Sequence, residues 1–505
     1  MSGQLSIHRA FGLLVSIFLI AAPRTAFAHA HLVKSVPAVG ATITVVPHAI
    51  QLWFSEAPEA ALTVITVAGA DGRTIRLGKV TAVPDTAVSV TATVIDALGP
   101  GNYRVKWRTV AADDGHPSNG SFSFTITAAG AATGTATAVT EPPGGSIMAL
   151  PAERNAKPAT VSGTNSGMGV ESPVYVVVRW LSFMGLVVLV GVVAFRLFVL
   201  PRVGASPVVA LAQAGTHDVL AATMIPQLAT LGTVAGAAVL IAAIGRLLAE
   251  QSVMAASMTM SVTEIVRQTA WGSAWLLQVG AAIIACAGFA LARHRSTIGW
   301  GIVAIAALVL AVTPALSGHA AGMPHWRTFA IATDAIHVIA AGAWLGSLCA
   351  LVVVGLPAAI RVEPGNTSTG PTTGLSTSLM ADMANAFSPV ALTFAAIVVL
   401  TGLVSAWLRL GSLSALWRTS YGIVLLVKLA LVGGVFTAGA FNWLRMRSAL
   451  ARSALDHTAS GSSETSNASS RTRARFQRSG TVELVFGVLV IAATAVLVAM
   501  PTPVH

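Results

Sequence analysis

The sequence predicts two unlike parts in one chain: an N-terminal all-β sandwich of immunoglobulin-like type, then an all-α polytopic membrane domain of about eight helices. Three observations predict this. Residues 29–127 alternate apolar and polar side chains between turn signals, the pattern of half-buried strands. From Val174 onward, apolar runs recur that approach or exceed the ~20 residues needed to cross a hydrocarbon core. Charged residues make up 10% of the 505, against about 25% in soluble proteins. So few charges cannot coat a soluble globule of this size, which excludes a soluble enzyme. A hydrophobic content of 54% excludes disorder. The net charge of +11, carried by so apolar a chain, points to orientation across a bilayer and not to nucleic acid. The two cysteines, Cys286 and Cys349, lie in apolar stretches and allow neither a disulfide framework nor a Cys-based zinc site.

Residues 1–28 read as a secretory leader. Arg9 gives the positive start, Ala10 to Ala22 is a short apolar run, and Ala26-Phe27-Ala28 is a small-x-small cleavage signature. Cleavage after Ala28 makes His29 the mature N-terminus. In the sandwich region, Phe122, Phe124 and Ile126 face one way and Ser121, Ser123 and Thr125 the other. Tyr103, Val105 and Trp107 alternate likewise with Arg104, Lys106 and Arg108. Turn signals fall at Ala70–Arg73, Gly99–Gly101 and Asp114–Pro117. Six or seven such strands in about a hundred residues suggest the immunoglobulin-like sandwich. Residues 128–172, rich in Ala, Gly, Thr, Pro and Ser, read as a flexible tether, and 173–505 as the membrane domain.

The apolar runs lie at about 174–200, 219–249, 271–292, 299–317, 329–357, 386–408, 420–444 and 482–501. With the sandwich exported, the inside connections hold Arg202, Arg293, Arg295, Arg361 and the arginines from Arg445 to Arg478. The outside connections hold Arg246, Arg267, Arg327, Arg409 and Arg418. The excess inside follows the positive-inside rule and agrees with the leader. Segments 361–383 and 453–479 are expected to be disordered cytoplasmic loops.

The freed His29 would present an α-amine and an imidazole Nδ1 that can chelate one ion in a single ring. Imidazole and amine nitrogens suit Cu(II), which favours tetragonal N,O geometry. Asp114-Gly115-His116 adds a carboxylate and a second imidazole in a turn, completing a four-ligand set. Each feature alone also fits a solvated terminus and an ordinary turn. Together with Ser35-x-Pro37, Gly40, Leu52-x-Phe54-Ser55-Glu56, His116-Pro117 and Gly120-Ser121-Phe122-x-Phe124, they make residues 29–127 resemble the periplasmic copper-binding CopC family. The resemblance implies Cu(II) ligation by His29, Asp114 and His116, with Glu56 where some members place a further carboxylate. Met is absent between His29 and Ile147, so a Met-rich Cu(I) site in this domain is not expected.

Polar groups within a bilayer are costly and mark function. Ser317-Gly318-His319-Ala320 closes the fourth span, Met323 and His325 lie in the short outside loop, and His337 lies near the outer end of the fifth span. Three imidazoles and a thioether on one side suit copper, Cu(I) in particular. They also fit interfacial residues and a helix-packing donor. Met254, Met258 and Met260 in the outside loop after span two form a weaker thioether cluster. Arg179 reads as a snorkelling residue, and Lys428 as a deeper intramembrane charge. Ser317–Ala320, His337 through Trp344-x-Gly346, Phe387-Ser388-Pro389, Thr401-Gly402 and Tyr421-Gly422 with Lys428-Leu429 resemble the CopD family of inner-membrane copper-resistance proteins. The two resemblances imply a non-enzymatic copper-binding and copper-transport protein of the bacterial inner membrane, with its head in the periplasm and copper moving inward. Its partners would be the copper ion, the bilayer and periplasmic copper donors. Two other readings stay open. One is a b-type haem redox protein, for which only His319 and His337 lie at suitable depth. The other is a copper-dependent oxidase built on the chain-end histidine.

Overall fold

The computed structural model describes residues 32–83, 86–112, 117–127, 172–204, 216–257, 261–318, 320, 326–361, 375–441, 463–500 and 503. Side-chain alternation builds the sandwich. In β8 (Gly101–Val110), Tyr103, Val105 and Trp107 are buried between exposed neighbours, and in β9 (Pro117–Ile126) Phe122, Phe124 and Ile126 are buried. These two strands pair antiparallel over their whole length. They form a five-stranded sheet, β2-β9-β8-β4-β5, with β2 (Thr42–Ile43), β4 (Val64–Gly69) and β5 (Thr74–Ile75). Facing it is a four-stranded sheet, β1-β3-β7-β6, made of β1 (Leu32–Val36), β3 (Ala49–Phe54), β6 (Thr81–Val83) and β7 (Thr86–Thr93). Phe54 meets Trp107 edge-on at 5.0 Å between the sheets, and Tyr103 stacks on Phe124 at 5.5 Å. Gly120 pairs with Trp107, and a Cβ there would fall 2.6 Å from the indole, so the motif glycine makes room for the core tryptophan.

Among the described residues, eight helices are long and apolar enough to cross a membrane: Pro173–Val203, Leu220–Ser252, Ala270–Ala292, Thr297–Leu316, Arg327–Arg361, Leu379–Leu410, Ser420–Phe441 and Gln477–Leu497. They follow the eight expected runs. Within whole helices these are α1 (Pro173–Val203), α2 (Thr216–Ser257), α4 (Ala270–Ala292), α5 (Thr297–Leu316), α6 (Arg327–Arg361), α7 (Leu375–Leu410), α9 (Ser420–Phe441) and α10 (Ser463–Leu497). Two short helices, α3 (Val262–Gln268) and α8 (Ala415–Arg418), lie between them. Starts follow capping chemistry. Ser172 accepts from the Tyr175 N–H ahead of Pro173, and Thr269 accepts from the Gly272 N–H. A reciprocal Ser261–Glu264 box opens α3.

The two expected disordered loops are each shortened by helix. Helix α7 begins at Leu375 because Leu379, Met380 and Met383 are fully buried in the bundle core. Helix α10 begins at Ser463 although its stretch before Gln477 is rich in Ser and Thr, which are weak helix formers, so intrinsic propensity does not account for its start. The tightest crossing in the bundle is between α1 and α6. Gly191 and Gly346 meet backbone to backbone there, and a Cβ on either would overlap the other helix. Small residues permit such approach, and packing rather than apolar transfer holds helices together in lipid. Trp344-x-Gly346 is thus a packing motif, with Trp344 stacked on Phe436 at 5.0 Å.

The sandwich is in contact with the membrane domain. Leu62 and Val110 of the head join Ile265 of α3 and Trp271 of α4 in one buried apolar cluster. Each such side chain contributes about 1.5–3 kcal/mol on full burial. The start of α1, the end of α2, the start of α4 and the head all share this end of the bundle.

Candidate metal centre

His29, Asp114, His116, His319, Met323, His325, Met258 and Met260 lie outside the described residues, and Met254 is described only as part of the α2 backbone. The chain segments that lead to the head ligands are described, and strand pairing gathers them. Leu32, three residues after His29, pairs with Phe54. From there the chain runs through Glu56 to Ala57–Glu59, which bonds back to the end of β8. Ala112 N–H donates to Ala57 O at 2.8 Å, and Glu59 N–H donates to Val110 O at 2.7 Å. Val110 in turn pairs with Pro117. The attachment points of His29, Asp114 and His116 therefore lie at one end of the sandwich. The buried Glu56 lies on the segment that joins them. Among the described residues, no group of three or more His, Cys, Asp or Glu side chains converges to hold a metal.

That end of the head is also the end that meets the membrane domain. Glu59, Val110, Ala111 and Ala112 line a small cleft with Glu250 of α2 and Trp271 of α4. Burial raises the Glu59 pKa above its ordinary value near 4.5, partly offset by the backbone N–H of Ala270 at the start of α4. An acid with a raised folded pKa stabilises the contact fully below its unfolded value. That contribution is lost as pH rises through the folded one. Glu59→Gln is therefore expected to flatten the fall in Tm of the solubilised chain above about pH 4.5. An unchanged Tm–pH curve would contradict the assignment.

His337 is described fully. It lies ten residues after Arg327, about 15 Å along α6 at 1.5 Å per residue. Its Nδ1 is 2.9 Å from the Thr401 hydroxyl of α7. That hydroxyl donates to Ile397 O at 2.7 Å. Its one hydrogen is thus committed to backbone, so it accepts from His337 Nδ1–H. The neutral ring then presents the lone pair of Nε2, the form a metal ligand needs. A Cβ on Gly402 would lie 3.6 Å from the His337 ring, an ordinary van der Waals contact, so Gly402 borders the imidazole without being required by it. Thr401→Val keeps the shape and removes the acceptor. It is expected to raise the half-saturating copper for transport about 10–100-fold, read by uptake titration. An unchanged value would show that the hydroxyl does not set the tautomer.

Beside His337 is a charge cluster that sequence reasoning did not assemble. Asp334, one turn earlier on α6, pairs with Arg409 of α7 and accepts from the Ser405 hydroxyl at 3.0 Å. Arg409 also bonds the Tyr421 hydroxyl of α9, and Lys428 lies within electrostatic reach of Asp334, Arg409 and His337. Arg409 belongs to a helix and not to an outside connection, as does Arg246. Arg246 of α2 donates to Gln278 Oε1 at 3.1 Å and to Ser317 Oγ at 3.2 Å, and lies over Trp271 at 5.7 Å. Gln278 in turn donates to Ser182 at 3.3 Å. Arg327 on the outside and Arg202, Arg361 and Arg478 on the inside also lie within the spanning helices, and the loop arginines that remain keep the excess inside. Arg179, expected to snorkel, is instead 8% exposed, with its guanidinium 4.6 Å from the Tyr175 ring.

The CopC domain family matches residues 32–127, the copper resistance protein D-like N-terminal domain matches 170–329, and copper resistance protein D matches 381–497. The chain is 24% identical over 501 residues to the Bacillus subtilis (strain 168) copper transport protein CutJ, covering 97% of this chain and 77% of that one. It is 32% identical over 100 residues to protein YobA of Escherichia coli (strain K12), covering 20% of this chain and 80% of that one. A crystal structure of CopC from Methylosinus trichosporium OB3b aligns at 25% identity over 20% of this chain and 96% of that one, with a TM-score of 0.19. The chain is a multi-pass membrane protein of the CopC/CopD copper-resistance family, with both domains fused in one polypeptide.

Proposed function

We propose that this protein captures copper outside the cytoplasmic membrane with its sandwich and moves it inward through its helices. The observation that carries this reading is the tandem itself: a CopC domain and copper resistance D domains in one chain, similar over 97% of its length to a protein named for copper transport. In this reading the head holds Cu(II) through the His29 amine and imidazole, Asp114 and His116, after the leader is removed. His337, held by Thr401, receives the ion within the membrane with His319. Met323 and His325 stand at the entrance, with the thioethers of Met254, Met258 and Met260 as further donors, which would hold the ion as Cu(I) once an external one-electron reductant has reduced it. The bilayer is the inner membrane of a bacterium, and periplasmic copper donors load the head. Transport is driven by binding and gradient, since the sequence carries no Walker motif.

Radiocopper accumulation by cells expressing the chain, set against cells without it and against His337→Ala, tests the reading. Import predicts accumulation above the control that His337→Ala abolishes. Accumulation below the control would mean export, and none in either direction would remove transport.

A further inference from the structure

The contact between head and membrane domain has a composition that the proposed function does not by itself require. A head on a tether would capture copper equally well without touching the helices. Here Leu62 and Val110, which lie outside the sandwich's own core cluster, pack with Ile265 and Trp271. The Glu59 carboxylate accepts the Ala270 N–H, one of the free donors at the start of α4. Val110, Ala111 and Ala112, the last described residues before Asp114 and His116, form part of the same cleft. On the membrane side, Trp271 carries the Arg246 guanidinium, and Arg246 bonds Ser317, two residues before His319. The Ser317 hydroxyl donates to Thr313 O at 3.1 Å and so is free to accept from Arg246. One run of contacts thus joins the chain leading to His116 with the chain leading to His319.

We propose that this contact is a cis docking surface for copper transfer. The head's partner is its own membrane domain, and Arg246 is the positioning residue that links the docked head to Ser317, two residues before His319. This rests on the transport reading above. Docked this way, copper passes from head to helices without release to solution. The head's copper-binding residues and Arg246 have separate tasks: the first set capture, the second sets transfer.

The test uses the full chain in membrane vesicles, with three readouts: hydrogen exchange of the α3 segment Val262–Gln268, the EPR spectrum of head-bound Cu(II), and radiocopper uptake. Leu62→Asp and, from the other side, Ile265→Asp are expected to raise α3 exchange and lower uptake at least tenfold, with the EPR spectrum unchanged. The unchanged spectrum shows that the head is still folded. Arg246→Gln is expected to lower the maximal uptake rate at an unchanged half-saturating copper and with α3 still protected. Arg246→Lys should restore part of that rate. Unchanged α3 exchange in both aspartate variants would overturn the docking surface. Raised exchange with wild-type uptake would overturn its role in transfer. A wild-type chain that moves no copper would overturn the transport reading, and the transfer role with it, while the exchange data would still decide whether the head docks.

Discussion

Replacing His29 by alanine lowers the affinity of the full chain for Cu(II) by about 100-fold or more, beyond the ~10–100-fold that loss of an outer-shell partner costs a metal site. The size follows from what one side chain supplies. His29 provides the imidazole of a two-nitrogen chelate, and its removal leaves the terminal amine as a single ligand while Asp114 and His116 stay in place. The sandwich does not depend on His29, since β1 starts at Leu32 and the core is built from β3, β4, β7, β8 and β9. The variant is therefore expected to keep its fold and its Tm without copper, and to lose the copper-dependent rise in Tm. Titration of Cu(II) against the EPR signal measures the change. Equal affinity in the variant would place the ligands elsewhere.

Replacing Asp334 by alanine is expected to be the most damaging single change in the membrane domain. It leaves the Arg409 guanidinium among α6, α7 and α9 without its carboxylate. The two side chains are 20% and 23% exposed, so removing one partner costs less than the about 3–5 kcal/mol of a fully buried pair, but the remaining charge keeps its desolvation penalty. A membrane offers no water to relieve it, though the Tyr421 hydroxyl remains. Asp334→Ala is expected to lower the yield of folded protein sharply and the midpoint of its thermal unfolding by many degrees. The double variant Asp334→Asn with Arg409→Gln removes the guanidinium together with its carboxylate, leaves Lys428 as the remaining charge of the cluster, and should recover part of the loss. Equal stability of the single and double variants would show that the pair holds nothing together. His337, one turn along the same helix, is expected to lose its position in the single variant and keep it in the double one.

The strands were legible because a half-buried sheet writes its two faces at period two, as Tyr103, Val105 and Trp107 do. The spans were legible because length and apolarity alone define them. The inward faces of those spans were not. Lipid is as apolar as a protein core, so a membrane helix carries little contrast between its sides. Asp334 and Arg409 are 75 residues apart, and Arg246 and Ser317 are 71 apart, so only the packed bundle pairs them. Counting Arg246 and Arg409 as loop charges was the direct consequence. The docking surface was hidden for a related reason. Val110 continues the strand and Leu62 reads as an ordinary apolar residue, and nothing local shows that they face another domain. His337 was legible as a polar group in an apolar run, and its partner Thr401 as part of a motif, but the hydrogen bond between them joins two helices 64 residues apart and exists only in the packed bundle. For the head, the ligand residues rest on motif and chain end, and the pairing of Leu32 with Phe54 and of Val110 with Pro117 adds that their attachment points share one end.

The whole account begins with a proteolytic event that frees one amine. Intact-mass and N-terminal peptide analysis of the protein recovered from membranes, with and without bound copper, tests it most directly. The account predicts a mature chain that begins at His29 and carries one tightly held Cu(II). A chain that begins at any other residue and still holds the ion with the same affinity would contradict it.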